Sequence, residues 1–102
     1  MITFVNRFDV HGSTVEFERV FDETSRFFSA RPGFLRHRLL RHADRPGTYV
    51  NIAEWASREH FQQAVSHPEF APHARALREL STSDPNLYVG VLERTMADRT
   101  QT

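Results

Sequence analysis

Residues 2–10 alternate between two faces: Ile2, Phe4, Asn6, Phe8 and Val10 on one, Thr3, Val5, Arg7 and Asp9 on the other. A period of two predicts a strand. His11-Gly12 breaks it. Ser13-x-x-Glu16 fits a capping box, in which each side chain satisfies the other residue's free backbone N–H. Phe17, Val20, Phe21, Thr24, Phe27 and Phe28 then recur at helical spacing, with Glu16, Arg19, Glu23 and Arg26 on the opposite side. Pro32-Gly33 ends this helix. Phe34 to His42 and Thr48 to Ala56 read as strands of a hairpin around Asp44-Arg45-Pro46-Gly47. Ser57 can cap the next helix, whose apolar side is Phe61, Ala64 and Val65. Pro68 and Pro72 interrupt it, so the expectation is a short helix at 58–65, a kink, and a second piece near 69–80. Asp84-Pro85-Asn86 reads as a turn and Leu87 to Met96 as the last strand.

This order, β-α-β-β-α-β, predicts an α+β ferredoxin-like fold: a four-stranded antiparallel sheet with the helices on one face. Residues 1–96 form a single domain, and 97–102 a frayed polar tail. The face without helices also carries apolar residues, Val5, Val50 and Ile52. A sheet that is apolar on both sides needs cover on both, and a second copy of the chain is the economical cover. A homodimer is therefore expected.

Composition narrows the function. Lys+Arg and Asp+Glu are equal at 13 each, which disfavours nucleic acid as a partner and permits self-association. There is no cysteine, so disulfides and thiolate chemistry are excluded. Met1 to Val10 lacks the basic-then-apolar form of a signal peptide, and no stretch is apolar enough to span a bilayer. A cytoplasmic location without membrane attachment is expected. Phe is unusually frequent, 9 of 102 residues, which suits either a plain aromatic core or one that also lines a cavity for a flat ligand.

The third strand carries the most chemistry. Tyr49, Asn51, Ala53 and Trp55 point one way, and the first strand adds Asn6 in the middle of an apolar face. In the expected topology these strands are neighbours, so two amides and an indole N–H converge under the helices. Each alone can be a satisfied core residue. Together they suit a flat, oxygen-bearing ligand and can stabilise an oxyanion. Six histidines are candidate bases: His11, His37, His42, His60, His67 and His73. No pair has the i, i+4 spacing of a helical metal site, so no metal is expected. His37 faces the pocket or not according to hairpin register, since a slip of one residue exchanges it with Arg36 or Arg38.

Asn6-Arg7-Phe8, Pro32-Gly33-Phe34 and Asn51-Ile52-Ala53-Glu54-Trp55-Ala56-Ser57 resemble the antibiotic biosynthesis monooxygenase family, over roughly residues 2–95. The resemblance implies a dimeric α+β barrel. The Asn-x-x-x-Trp spacing is similar to the branch that oxidises polycyclic aromatic polyketides, anthrones in particular, to quinones with dioxygen and no cofactor. It implies Asn6, Asn51, Trp55 and either Arg75 or Arg78 as pocket residues. Helical spacing does not separate the two arginines. The expected site has Asn6, Asn51, Trp55 and Arg75 as catalytic groups. Tyr49, Phe61, His37, His73 and Arg78 would contact a small aromatic substrate. Phe61 stands where some members carry a Tyr, so a mechanism that needs that phenol does not transfer. Haem-degrading members share the Asn corresponding to Asn6 and a His corresponding to His73. Their Trp about ten residues before that His is replaced here, where Gln63, Ala64 and Val65 stand. A haem-binding or haem-degrading relative, or a non-catalytic ligand-binding or pathway-partner dimer, is the alternative.

Overall fold

The computed structural model describes residues 1–96. Its elements run β1 (Ile2–Val10), α1 (Thr14–Ser29), β2 (Phe34–Arg41), β3 (Thr48–Trp55), α2 (Arg58–Val65), α3 (Phe70–Leu80) and β4 (Ser81–Tyr88). The four strands form one antiparallel sheet in the order β2-β3-β1-β4, the ferredoxin-like arrangement that the alternation predicts.

Local chemistry sets most boundaries. Ser13 Oγ accepts from the Glu16 backbone N–H at 3.1 Å, capping α1. Only half of the capping box forms, because the Glu16 carboxylate turns to Arg19 instead. Ser57 caps α2 in the same way, through His60 N–H at 3.2 Å. The Pro68 break holds, and Pro72 falls in the first turn of α3, where its missing N–H costs nothing. Gly33 sits at φ +83°, and a Cβ there would run into the His60 ring, so only glycine fits between α1 and β2.

The last strand is a correction. Asp84-Pro85-Asn86 is not a turn but part of the strand, and of the expected strand Leu87 to Met96 only Leu87 and Tyr88 belong to it. The chain leaves α3 directly into β4, and the described residues beyond Tyr88 have no regular structure. Two hydrogen bonds make the abrupt exit: Ser81 Oγ donates to Leu77 O at 2.7 Å, and His11 N–H to Leu80 O at 3.0 Å. Pro85 is tolerated because β4 is an edge strand. Turn propensity at 84–86 therefore gives way to eight residue pairings with β1. The expected frayed tail, 97–102, lies outside the described residues.

All three helices cover one sheet face. Phe8, Phe17, Val20, Phe21, Tyr49 and Leu77 pack at one end, and Ile2, Ala53, Trp55 and Ala64 at the other. Burial of this kind is the main stabilising term for so small a chain. The opposite face carries Val5, Val50 and Ile52, half-buried, and Leu40, 41% exposed. Around them stand the ion pairs Arg7–Asp9 and Arg36–Glu54.

Candidate active site

Between the two packing centres the core is not filled. A chamber of about 70 Å³ lies between the helices and the sheet, and its lining includes Phe4, Asn6, Phe28, Phe34, His37, Asn51, Trp55 and Phe61. It shares Phe4, Asn6, Phe61 and Leu77 with an outer groove of about 560 Å³ that runs toward α3 and β4. The chamber alone is below the size of a typical ligand pocket, roughly 300–1,000 Å³; the groove is within it. A ring system can therefore enter from the groove and place one edge in the chamber.

The floor comes from strand pairing. Asn6 and Asn51 are directly opposite in the β1–β3 ladder, one pair along from Phe4 and Ala53 on the same face. Asn6 Oδ1 is buried and has no hydrogen-bond partner among the described residues. A buried amide oxygen without a partner costs about 1–3 kcal/mol, so it awaits a donor. Asn51 is buried, and its Oδ1 lies 3.2 Å from His37 Nδ1. His37 Nε2 in turn lies 2.5 Å from Ser25 Oγ. Trp55 forms the wall, meeting Phe34, Phe28 and Phe61 edge-on at centroid distances of 5.4, 5.8 and 6.0 Å.

A β-bulge decides the facing of His37. Phe34 pairs with Trp55, but the next pairing is Arg36 with Glu54, so one extra residue, Leu35, lies between them. Phe34 and His37 consequently both face the helices, and Arg36 and Arg38 face away. Without the bulge, strict alternation from Phe34 would send His37 to the uncovered side.

The expected site residues divide. Asn6, Asn51, Trp55, Phe61 and His37 line the chamber together. Both arginines are exposed; Arg78 lines the outer groove, while Arg75 lines neither cavity. Tyr49 also lies outside both. It is buried against Phe17, with centroids 4.8 Å apart, and its hydroxyl donates to Glu18 Oε2 at 2.6 Å. Burial raises its phenol above the usual range, and the Glu18 carboxylate adds to that. His73 packs on the Phe27 ring at 5.5 Å rather than lining the chamber. Among the described residues no group of three or more His, Cys, Asp or Glu is placed to hold a metal ion.

Sequence reading missed Ser25, and Arg58 on the groove wall. Ser25 had a signal: it stands four residues after Phe21 and three before Phe28, a small polar position on the flank of an apolar stripe. Arg58 had none, since a charged residue in the first turn of a helix is ordinary.

The site is thus an aromatic chamber under a ferredoxin-like sheet, with two amides on its floor. The model of the antibiotic biosynthesis monooxygenase family matches residues 1–76, and the chain belongs to that family. It is an oxidoreductase. The deoxynogalonate monooxygenase of Streptomyces nogalater is 54% identical over 87 residues, which is 85% of this chain and 74% of the relative. The crystal structure of SnoaB, a cofactor-independent oxygenase from Streptomyces nogalater, superposes with a TM-score of 0.88 at 49% identity, covering 95% of this chain and 97% of that one. An antibiotic biosynthesis monooxygenase structure from Caulobacter crescentus, 21% identical with a TM-score of 0.80, covers 89% of this chain and 90% of its own and shares the fold.

Proposed function

We propose that this chain is a cofactor-independent monooxygenase that oxidises a polycyclic aromatic polyketide of the anthrone or hydroquinone type to a quinone with dioxygen. The carrying observation is the unpartnered, buried Asn6 Oδ1, directly across the strand pair from Asn51. An acceptor and an amide side by side in an aromatic chamber suit a hydroxyl next to a carbonyl oxygen on a fused ring. The names of the Streptomyces nogalater matches, a deoxynogalonate monooxygenase and a cofactor-independent oxygenase, support an oxygenase that works without a cofactor.

An anthrone loses a proton from its ring methylene, and the electron pair left on carbon spreads over the ring oxygens. The anion passes one electron to dioxygen. The resulting carbon radical and superoxide recombine as a C–O bond, and the peroxide takes up a proton. Loss of the remaining C–H proton with cleavage of the O–O bond expels water and leaves a carbonyl. One oxygen atom is in the quinone and the other in water. The substrate anion supplies the electrons, so the protein's work is to bind, orient, stabilise the anion and exclude bulk water. Arg78, at the groove, adds positive charge on the approach to the chamber.

Oxygen uptake tests this directly. Purified protein in chelator-treated, flavin-free buffer should consume one dioxygen per anthrone and yield anthraquinone well above the enzyme-free rate. Uptake equal to the blank would end the oxygenase reading.

The partners that complete this reading are dioxygen, the aromatic substrate and a second copy of the chain, acting in the cytoplasm. No helix among the described residues is long and apolar enough to cross a membrane. Val5, Val50, Ile52 and Leu40 make a compact apolar patch on the sheet face that the helices leave open, rimmed by ion pairs of both signs. Face-to-face pairing would cover it and close a barrel around two sheets. Sedimentation velocity at micromolar concentration should return the dimer mass, and Ile52→Arg should shift it to the monomer. A wild-type monomer at that concentration would rule the pairing out.

A further inference from the structure

The chamber holds an aligned trio of polar side chains: Ser25 on α1, His37 on β2 and Asn51 on β3. Its tautomer follows from its partners. If His37 carried its proton on Nε2, the bare Nδ1 lone pair would face the lone pairs of Asn51 Oδ1 at 3.2 Å. The opposite arrangement satisfies all three groups: Ser25 O–H donates to Nε2, and Nδ1–H donates to Asn51 Oδ1. With that contact occupied, the Asn51 NH₂ is the end of the amide left for the chamber. Both His37 nitrogens are engaged, so the imidazole itself offers no lone pair to a ligand. Ser25 Oγ does, and it lines the chamber.

We propose that Ser25 and His37 are the proton relay of this site, an inference that rests on the oxygenase reading above. Ser25 Oγ takes the proton from the substrate methylene: the C–H bond breaks, its electron pair stays on the substrate, and a new O–H bond forms. In the same step the original Ser25 O–H bond breaks and its proton passes to His37 Nε2. The products are a substrate anion and an imidazolium. Asn51 Oδ1 supports the imidazolium through Nδ1–H, while Asn51 NH₂ faces the anion. The relay runs backward to protonate the peroxide after dioxygen has added. The setting is apolar on two sides, since the His37 ring is flanked by Phe21 at 5.9 Å and Phe34 at 5.8 Å.

The bland alternative is that the trio merely ties the hairpin to α1. Single-turnover oxidation of anthrone separates the two. Anthrone is supplied either as the neutral ketone or, by a jump from an alkaline stock, as its pre-formed anion. With the ketone, Ser25→Ala and His37→Gln should be slower than wild type by about 100-fold, the usual contribution of a positioned acid–base group. With the anion, the decay of the anion's own absorbance should match wild type in both variants, because the first proton is already gone and the later proton transfers follow that decay. Ser25→Thr keeps the hydroxyl and should retain most of the rate on the ketone. Equal slowing on ketone and anion makes the trio structural and overturns the relay, as does an undiminished rate of Ser25→Ala on the ketone. If wild type oxidises neither form above the blank, it is the oxygenase reading that fails.

Discussion

Asn51→Ala should lower kcat by about 10²–10³-fold, the range seen when one donor to a developing oxyanion is removed. Two losses combine. The donor that faces the substrate anion disappears, and His37 Nδ1–H loses its 3.2 Å partner. KM should change far less, since the aromatic walls hold the ring system in both its neutral and anionic forms. Asn51→Asp sharpens the point. It preserves an acceptor for His37 but replaces the inward donor by a negative charge beside the forming anion, so it should be no better than alanine. Steady-state oxygen uptake reads both variants. Near-normal kcat in Asn51→Ala would remove Asn51 from the chemistry and leave Asn6 alone on the chamber floor.

The second large effect is on stability. Trp55 is 2% exposed and is gripped edge-on by Phe28, Phe34 and Phe61. Trp55→Ala removes the largest side chain of its packing cluster, and such truncations cost about 3–5 kcal/mol. Domains of this size have roughly 5–15 kcal/mol in total, so the variant should be near the edge of folding. Its melting temperature should fall by roughly 15–30 °C. Trp55→Phe keeps the aromatic wall and should lose much less. Thermal melts followed by circular dichroism decide this; a Trp55→Ala melt within a few degrees of wild type would mean that the chamber collapses to refill the space.

These two residues were readable before any coordinates, because a strand sends alternate side chains to the same face whatever surrounds it. Asn6 and Phe8 on β1, and Asn51 and Trp55 on β3, had to share faces once each strand was recognised. Pairing of β1 with β3 followed from the topology. Helix starts were equally legible, since Ser13 and Ser57 cap through bonds that span three residues. The family resemblance carried the substrate class further than any pattern of residues did.

What the sequence could not supply was every choice that depended on a partner distant along the chain. Turn chemistry at Asp84-Pro85-Asn86 was locally convincing, yet an edge position beside β1 makes the same residues a strand. Spacing alone could not rank Arg75 against Arg78; both are exposed on α3, and of the two it is Arg78 that lines the groove. Tyr49 shares a face with Asn51, but the Glu18 carboxylate on α1 claims its hydroxyl away from the chamber. The largest decision rests on one residue. Leu35 bulges from β2, shifts the alternation by one, and turns His37 inward to meet Ser25 and Asn51. The hydrophobic pattern by itself determined a ferredoxin-like sheet with two amides and an indole on its covered face, because period and capping act locally. Only the tertiary structure decided which histidine joins them, because register is a property of paired strands and not of either strand alone.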